Sequence, residues 1–165
     1  SGTGSADRKI DIWAEGGMTV RGHIKTNSTY IVAFCAVLTA NNLSGNRNPM
    51  VFGHIEYNYG GHFKSNTHFI APVTGIYMFN LTMRNNTESD VAWMLRLNDT
   101  GFVNGASGSE VLERTYVRSR LDNHTASRTV ITKLNAGDKV HVEQHGGGND
   151  NFSSGFEGCL LQAFE

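Results

Sequence analysis

The chain has 165 residues, which suits one domain. Hydrophobic residues (39%) and charged residues (18%) are both sparse, glycine (19) and asparagine (16) fill the gap, and proline occurs twice. This favours short strands and polar turns over long helices. A net charge of −1 argues against a general nucleic-acid binder, and no apolar run approaches the length needed to insert in a membrane.

In chain order, residues 1–29 form a polar, glycine-containing N-terminal extension. Its Ser1-Gly-Thr-Gly-Ser-Ala6 start reads as a cloning scar or a trimmed terminus. Residues 30–165 form the globular domain. Ile31 to Leu38, rich in β-branched residues, predicts a central strand. Asn41 to Pro49 is turn-rich. Val51 to Tyr57 alternates and is interrupted by Tyr59-Gly-Gly-His62. Phe69 to Val73 leads into a strand over Gly75 to Leu81, followed by a polar loop from Arg84 to Asp90. Val91 to Leu97, Arg114 to Arg120, Arg128 to Leu134, Val140 to Val142 and Gly158 to Phe164 complete eight to ten strands. No segment predicts an amphipathic helix, a low-complexity tract or an internal repeat. The pattern predicts an all-β antiparallel sandwich, jelly roll or immunoglobulin-like.

Two further features concern compartment. Asn27, Asn42, Asn80, Asn85, Asn98, Asn123 and Asn151 each open an Asn-x-Ser/Thr site, which tilts the reading toward secretion. Cys35 and Cys159 stand near opposite ends of the chain, and arithmetic leaves two free thiols and one bridge open.

Five blocks then resemble, in order, the globular head domain of complement C1q, a tumour-necrosis-factor-like jelly roll. Ala33-Phe-Cys-Ala-Val-Leu-Thr39 resembles the opening strand. Phe52, Asn58, Phe63 and Phe69 resemble a Phe, Asn, aromatic, Phe block, with the last gap one residue short. Gly75-Ile-Tyr77-Met-Phe79 matches Gly-x-Tyr-x-Phe, Leu134-Asn-Ala-Gly137-Asp138-Lys-Val140 resembles the Leu-x-x-Gly-Asp-x-Val turn, and Phe156-Glu-Gly158-Cys-Leu160-Leu161 resembles the closing strand. His141 departs from a frequent Trp. No collagen-like stretch is present, so the resemblance implies a bare head, as among invertebrate secreted lectins and pathogen-recognition proteins, unless such a stretch has been trimmed away.

The resemblance implies a ten-stranded jelly roll, a secreted homotrimer and no catalysis. It implies that Tyr77, Phe79 and Leu161 lie on inner-sheet strands and that at least one of these candidates reaches the subunit contact. It also implies that the first and last strands are neighbours. Cys35 and Cys159 then become candidates for a disulfide, closing a loop of about 120 residues and contributing about 4–5 kcal/mol in the chain-entropy picture.

Among sites, His141-Val-Glu-Gln-His145 has two histidines that a strand separates by about 13 Å, too far for one ion. No metal is assigned. Calcium stays open as a cofactor only through the loop acids Glu88, Asp90, Asp99 and Asp150. Arg114, Tyr116, Arg118 and Arg120 share one face of a strand. That face reads either as solvated and paired with Glu113 and Asp122, or as a platform for an acidic sugar such as sialic acid. Tyr57, Tyr59 and His62 form a second candidate patch, where ring faces stack on sugar C–H groups. The leading expectation is a secreted trimeric lectin for glycans or glycoproteins. An extracellular-matrix or biomineral trimer and a cytokine-like receptor ligand are the alternatives.

Overall fold

The computed structural model describes residues 31–39, 45–86, 88, 90–98, 117–119, 124–146 and 154–164. Among them are ten strands: β1 (Ala33–Val37), β2 (His54–Tyr59), β3 (Phe63–Lys64), β4 (His68–Ile70), β5 (Gly75–Asn85), β6 (Val91–Leu97), β7 (Val117–Ser119), β8 (His124–Leu134), β9 (Lys139–Gly146) and β10 (Gly155–Ala163). They form two antiparallel five-stranded sheets, ordered β2-β1-β10-β5-β8 and β3-β4-β9-β6-β7. The first and last strands are neighbours, as the resemblance implied. This is an all-β jelly roll.

Strict alternation builds the interior. Along β5, Gly75, Tyr77, Phe79, Leu81, Met83 and Asn85 face inward and every intervening residue is half-buried. Phe34, Phe52, Phe63, Phe69, Phe79 and Phe156 meet there, Phe34 stacking on Phe63 at 4.7 Å and meeting Phe156 edge-on at 4.9 Å. Gly158 permits this closeness, because a Cβ at that position would fall 2.5 Å from Phe79 and 2.7 Å from Phe34.

Several strands outrun their sequence signals. β5 continues through Met83, Arg84 and Asn85, part of it expected as polar loop, because its pairing with β8 extends to Asn85 opposite His124. β8 accordingly starts at His124 instead of Arg128, and β9 reaches Gly146 instead of stopping at Val142. These extensions are mostly polar and carry no apolar alternation, but a long partner strand keeps their backbone groups paired.

The expected placement of Tyr77 and Phe79 at a subunit contact is corrected. Both are fully buried within their own chain. Tyr77 stacks on Phe79 and its hydroxyl donates to the Val73 carbonyl at 2.7 Å. An inward-facing position on an inner strand points between the sheets and not at a neighbour.

The expected disulfide is also corrected: Cys35 and Cys159 are free thiols. Cys35 lies opposite Glu157, and Cys159 lies opposite Ala33. The pair is diagonal across two strands, a spacing of about 7–8 Å and beyond ordinary disulfide reach.

Candidate functional site

The two sheets differ in what they turn outward. On the second sheet, Ala92, Met94, Arg96, His141 and Glu143 point away from the sandwich yet are all buried. Glu143 is the hub: one carboxylate oxygen accepts from Arg96 Nε and the other meets His145 Nε2 at 2.6 Å. His141 bonds Asn48 Oδ1 through Nε2 at 2.7 Å and lies 4.9 Å from the His68 ring. Beneath them, Trp93 Nε1 donates to Gln144 Oε1 at 3.0 Å. Glu143 and His145 thus join Arg96 in a network that engages both Glu143 oxygens, while His141 turns to Asn48. Sequence reasoning treated Arg96 only as part of a strand. Its partner is 47 residues away and carries no local signal.

The first sheet turns apolar groups to solvent. Tyr59, Ala33, Cys159, Met78 and Ile131 form one row across all five strands, and Tyr57, Cys35, Glu157, Asn80 and Thr129 form the next. Among the described residues the exposed large hydrophobics are Ile31, Val51, Tyr57, Tyr59, Ile131, Leu161 and Phe164. All but Val51 belong to this sheet or its ends. Leu161, in the bulge between Leu160 and Gln162, is 47% exposed. It is the one residue of the expected subunit contact that reaches solvent.

At the β2 edge of this face, Tyr57 and Tyr59 stack with ring centroids 5.5 Å apart, and they are 39% and 58% exposed. The turn after them is fixed by Asn58, whose side chain donates to the Phe63 carbonyl at 2.8 Å and accepts from the Phe63 N–H at 3.1 Å. Gly60 takes φ +80°, and a Cβ there would come within 2.7 Å of the His62 ring. The structure thus stacks Tyr57 on Tyr59 and sets the His62 ring against the Gly60 turn that follows them. Burial, then the Lys64 charge, pushes His62 below the usual histidine range, so it is neutral at pH 7 and offers a hydrogen bond instead of a cation. Burial, followed by nearby thiol and carboxylate groups, raises the Tyr57 phenol, which stays protonated. Burial and the Glu157 and Glu56 carboxylates push the Cys35 thiol up to about 11, and burial raises Cys159, so neither is a ready thiolate.

The arginine strand is only partly placed. Arg118 lies on edge strand β7, opposite Ala92. Arg114, Tyr116 and Arg120 lie outside the described residues. Of the Asn-x-Ser/Thr sites, Asn85 is fully buried. Asn80 accepts from Ser127 and Thr129 at 3.1 Å each, and Asn98 is bonded to Asp138 and the Lys139 N–H. Asn27, Asn42, Asn123 and Asn151 lie outside the described residues. So do Asp99 and Asp150, while Glu88 and Asp90 are exposed. Among the described residues no helix is long and apolar enough to cross a membrane.

Two antiparallel sheets in this strand order, one of them turning an apolar face outward, define a jelly-roll domain of the C1q and tumour-necrosis-factor type. The sequence profile of the C1q domain matches residues 33–161, and the chain belongs to that family. It is 27% identical over 134 residues to complement C1q tumor necrosis factor-related protein 3 of Mus musculus and of Homo sapiens. The match covers 79% of this chain and 51% of either relative, so the chain spans about half the length of the curated relatives it matches. Among solved structures, the globular domain of zebrafish complement 1qA protein superposes with TM-score 0.62 at 17% identity, covering 81% of this chain and 99% of that one. Eiger TNF from S. frugiperda gives 0.57 at 14% identity, covering 82% and 96%, and murine APRIL at pH 8.5 gives 0.56 at 11%, covering 79% and 99%.

Proposed function

We propose that this chain is a secreted, non-enzymatic recognition head that self-associates as a homotrimer and binds glycans or glycoproteins through several weak sites at once. The observation that carries the reading is the outward face of the first sheet, where Ile31, Tyr59, Ile131, Leu161 and Phe164 stand exposed. Exposed apolar side chains gathered on one sheet face support an interaction surface. Multivalent display supplies avidity from weak single sites. Protonated thiols and a Glu143 held on both oxygens favour binding over catalysis.

The Tyr57–Tyr59 stack supports a sugar contact: two exposed rings beside a neutral His62 suit C–H stacking with one polar bond. A neutral imidazole offers a hydrogen bond but no charge, so the ion pair for a sialylated ligand is assigned to the arginine strand around Arg118. The test is a glycan array probed with the native protein and with the Tyr57→Ala/Tyr59→Ala variant. Binding lost in the variant supports the corner, and binding unchanged removes it.

A second reading, a cytokine-like receptor ligand, draws on the tumor necrosis factor-related name of the curated relatives. An array without hits, together with saturable binding to cell surfaces that survives removal of surface glycans, would favour it.

A further inference from the structure

Three sulfur-bearing side chains stand together on the outer face of the first sheet. Cys159 on β10 lies directly opposite Met78 on β5. Cys35 on β1 lies opposite Glu157, one outward pair further along, so it stands diagonal to Cys159. All three are half-buried, and both cysteines are free thiols. The residue opposite Cys159 on β1 is Ala33, whose single methyl leaves the flank toward Cys35 thinly filled. After burial, the Cys35 and Cys159 thiols are both among the groups that raise the Tyr57 phenol, so the two sulfurs lie within electrostatic reach of one ring.

The spacing decides what can join them. A diagonal of about 7–8 Å across two strands is too wide for a disulfide, whose sulfurs must come within about 2.05 Å of each other. An ion between the sulfurs relaxes that demand, because two metal–sulfur bonds of about 2.3 Å hold them roughly 4 Å apart. The offset that forbids a direct bond therefore admits a bridging ion.

The donors select which ion. Thiols and a thioether are soft ligands and favour cuprous copper over hydrated, oxygen-seeking cations. Among the described residues no three His, Cys, Asp or Glu side chains gather as a ligand set, so zinc finds only two of its usual ligands here. Both thiols hold their protons at pH 7, so the ion must form a bond strong enough to displace them. Tyr59, Ala33 and Ile131 share the row of Cys159 and Met78, an apolar surround that suits a soft ion of low charge.

We propose that Cys35, Cys159 and Met78 form a cuprous-ion site, with two thiolates and one thioether supplied by a single chain. One Cu(I) enters, two thiol protons leave, and no electron is transferred. Affinity then rises with pH, by up to about a hundredfold per unit while both thiols stay protonated in the free chain. The site stands apart from the glycan reading and needs no second copy.

The experiment titrates the full chain, reduced and under argon, with Cu(I) held by bicinchoninate, and reads copper transfer from the loss of the chelator's colour. Native protein is compared with Cys35→Ser, Cys159→Ser and Met78→Leu, each first shown to melt cooperatively. One ion per chain is expected, with affinity lowered at least about a hundredfold in either serine variant and about tenfold in Met78→Leu. X-ray absorption of the loaded native protein is expected to show a sulfur-only shell at roughly 2.3 Å. Two ions per chain, or a serine variant that binds as tightly as native, overturns the joint site, because each thiol then acts alone. One ion shared by several chains overturns the single-chain ligand set. Met78→Leu binding as tightly as native overturns the three-sulfur set. Nitrogen or oxygen in the native shell, or no copper taken from the chelator at any pH from 6 to 8, overturns the proposal whatever the variants do.

Discussion

Asn58 and Phe63 are joined by two reciprocal hydrogen bonds, side-chain N–H to carbonyl at 2.8 Å and backbone N–H to side-chain oxygen at 3.1 Å. They span the Gly60-Gly61 turn and hold the ring of Phe63 in the core while Tyr57 and Tyr59 stay on the outer face. Asn58→Ala is expected to cost about 1–3 kcal/mol of unfolding free energy, because the Phe63 backbone groups lose their partner. Asn58→Asp keeps the acceptor and is expected to retain about half of the bonding. Urea unfolding of both variants checks this, and an Asn58→Ala midpoint equal to native would leave the bonds without energetic weight.

The ion-pair network of the second sheet makes a separate prediction. Glu143→Leu strands Arg96 without its buried carboxylate, and a cost of about 3–5 kcal/mol is expected. The double replacement Arg96→Met/Glu143→Leu removes both charges and is expected to fall within about 1 kcal/mol of native. A double variant as damaged as the single would show that the network is needed for packing and not for charge balance.

Legibility from sequence followed locality. Period-two alternation at Gly75 to Leu81 and Val91 to Leu97, and the Leu134 to Val140 turn, rest on neighbouring residues, and these elements stand close to where the sequence puts them. Tyr77 and Phe79 show the limit. Their strand is correct, but inward or outward depends on register with β8 and β10, which no local window contains. The cysteines fail in the same way: adjacency of β1 and β10 is right, and a two-residue offset decides against the bridge. The Glu143 network joins strands whose partners are 47 residues apart, so only the fold reveals it.

The thiols titrate in a defined window. Burial and two carboxylates lift Cys35 from its ordinary 9.0 to about 11, so the folded chain holds that proton more tightly than the unfolded chain. Its contribution to stability is complete below about pH 9 and declines between pH 9 and 11. Cys35→Ser is expected to flatten that decline in melting temperature measured from pH 8 to 11. Freshly denatured, unreduced protein is expected to yield two titratable thiols. Unreduced, denatured protein that yields no titratable thiol would mean that a bridge forms in solution after all.

The two candidate sugar contacts differ in every measurable respect. Binding at Tyr57 and Tyr59 rests on ring stacking, so Tyr59→Ala is expected to weaken a neutral-sugar ligand by about 0.5–1.5 kcal/mol, and added salt is expected to change little. Tyr59→Trp keeps a ring face and is expected to bind at least as well as native. Binding at the arginine strand rests on a charge-assisted pair, so Arg118→Ala is expected to weaken a sialylated ligand by about 1.5–3 kcal/mol. Arg118→Lys is expected to weaken it too, because an ammonium group lacks the planar two-pronged contact. Melting close to native in Arg118→Ala would mark the loss as one of binding and not of folding. Calorimetry with matched sialylated and desialylated oligosaccharides separates the cases. Loss confined to the tyrosine variants places the ligand at the β2 edge, and loss confined to Arg118 places it on β7. If neither set changes the affinity for any glycan, the lectin reading falls and the receptor-ligand reading takes its place.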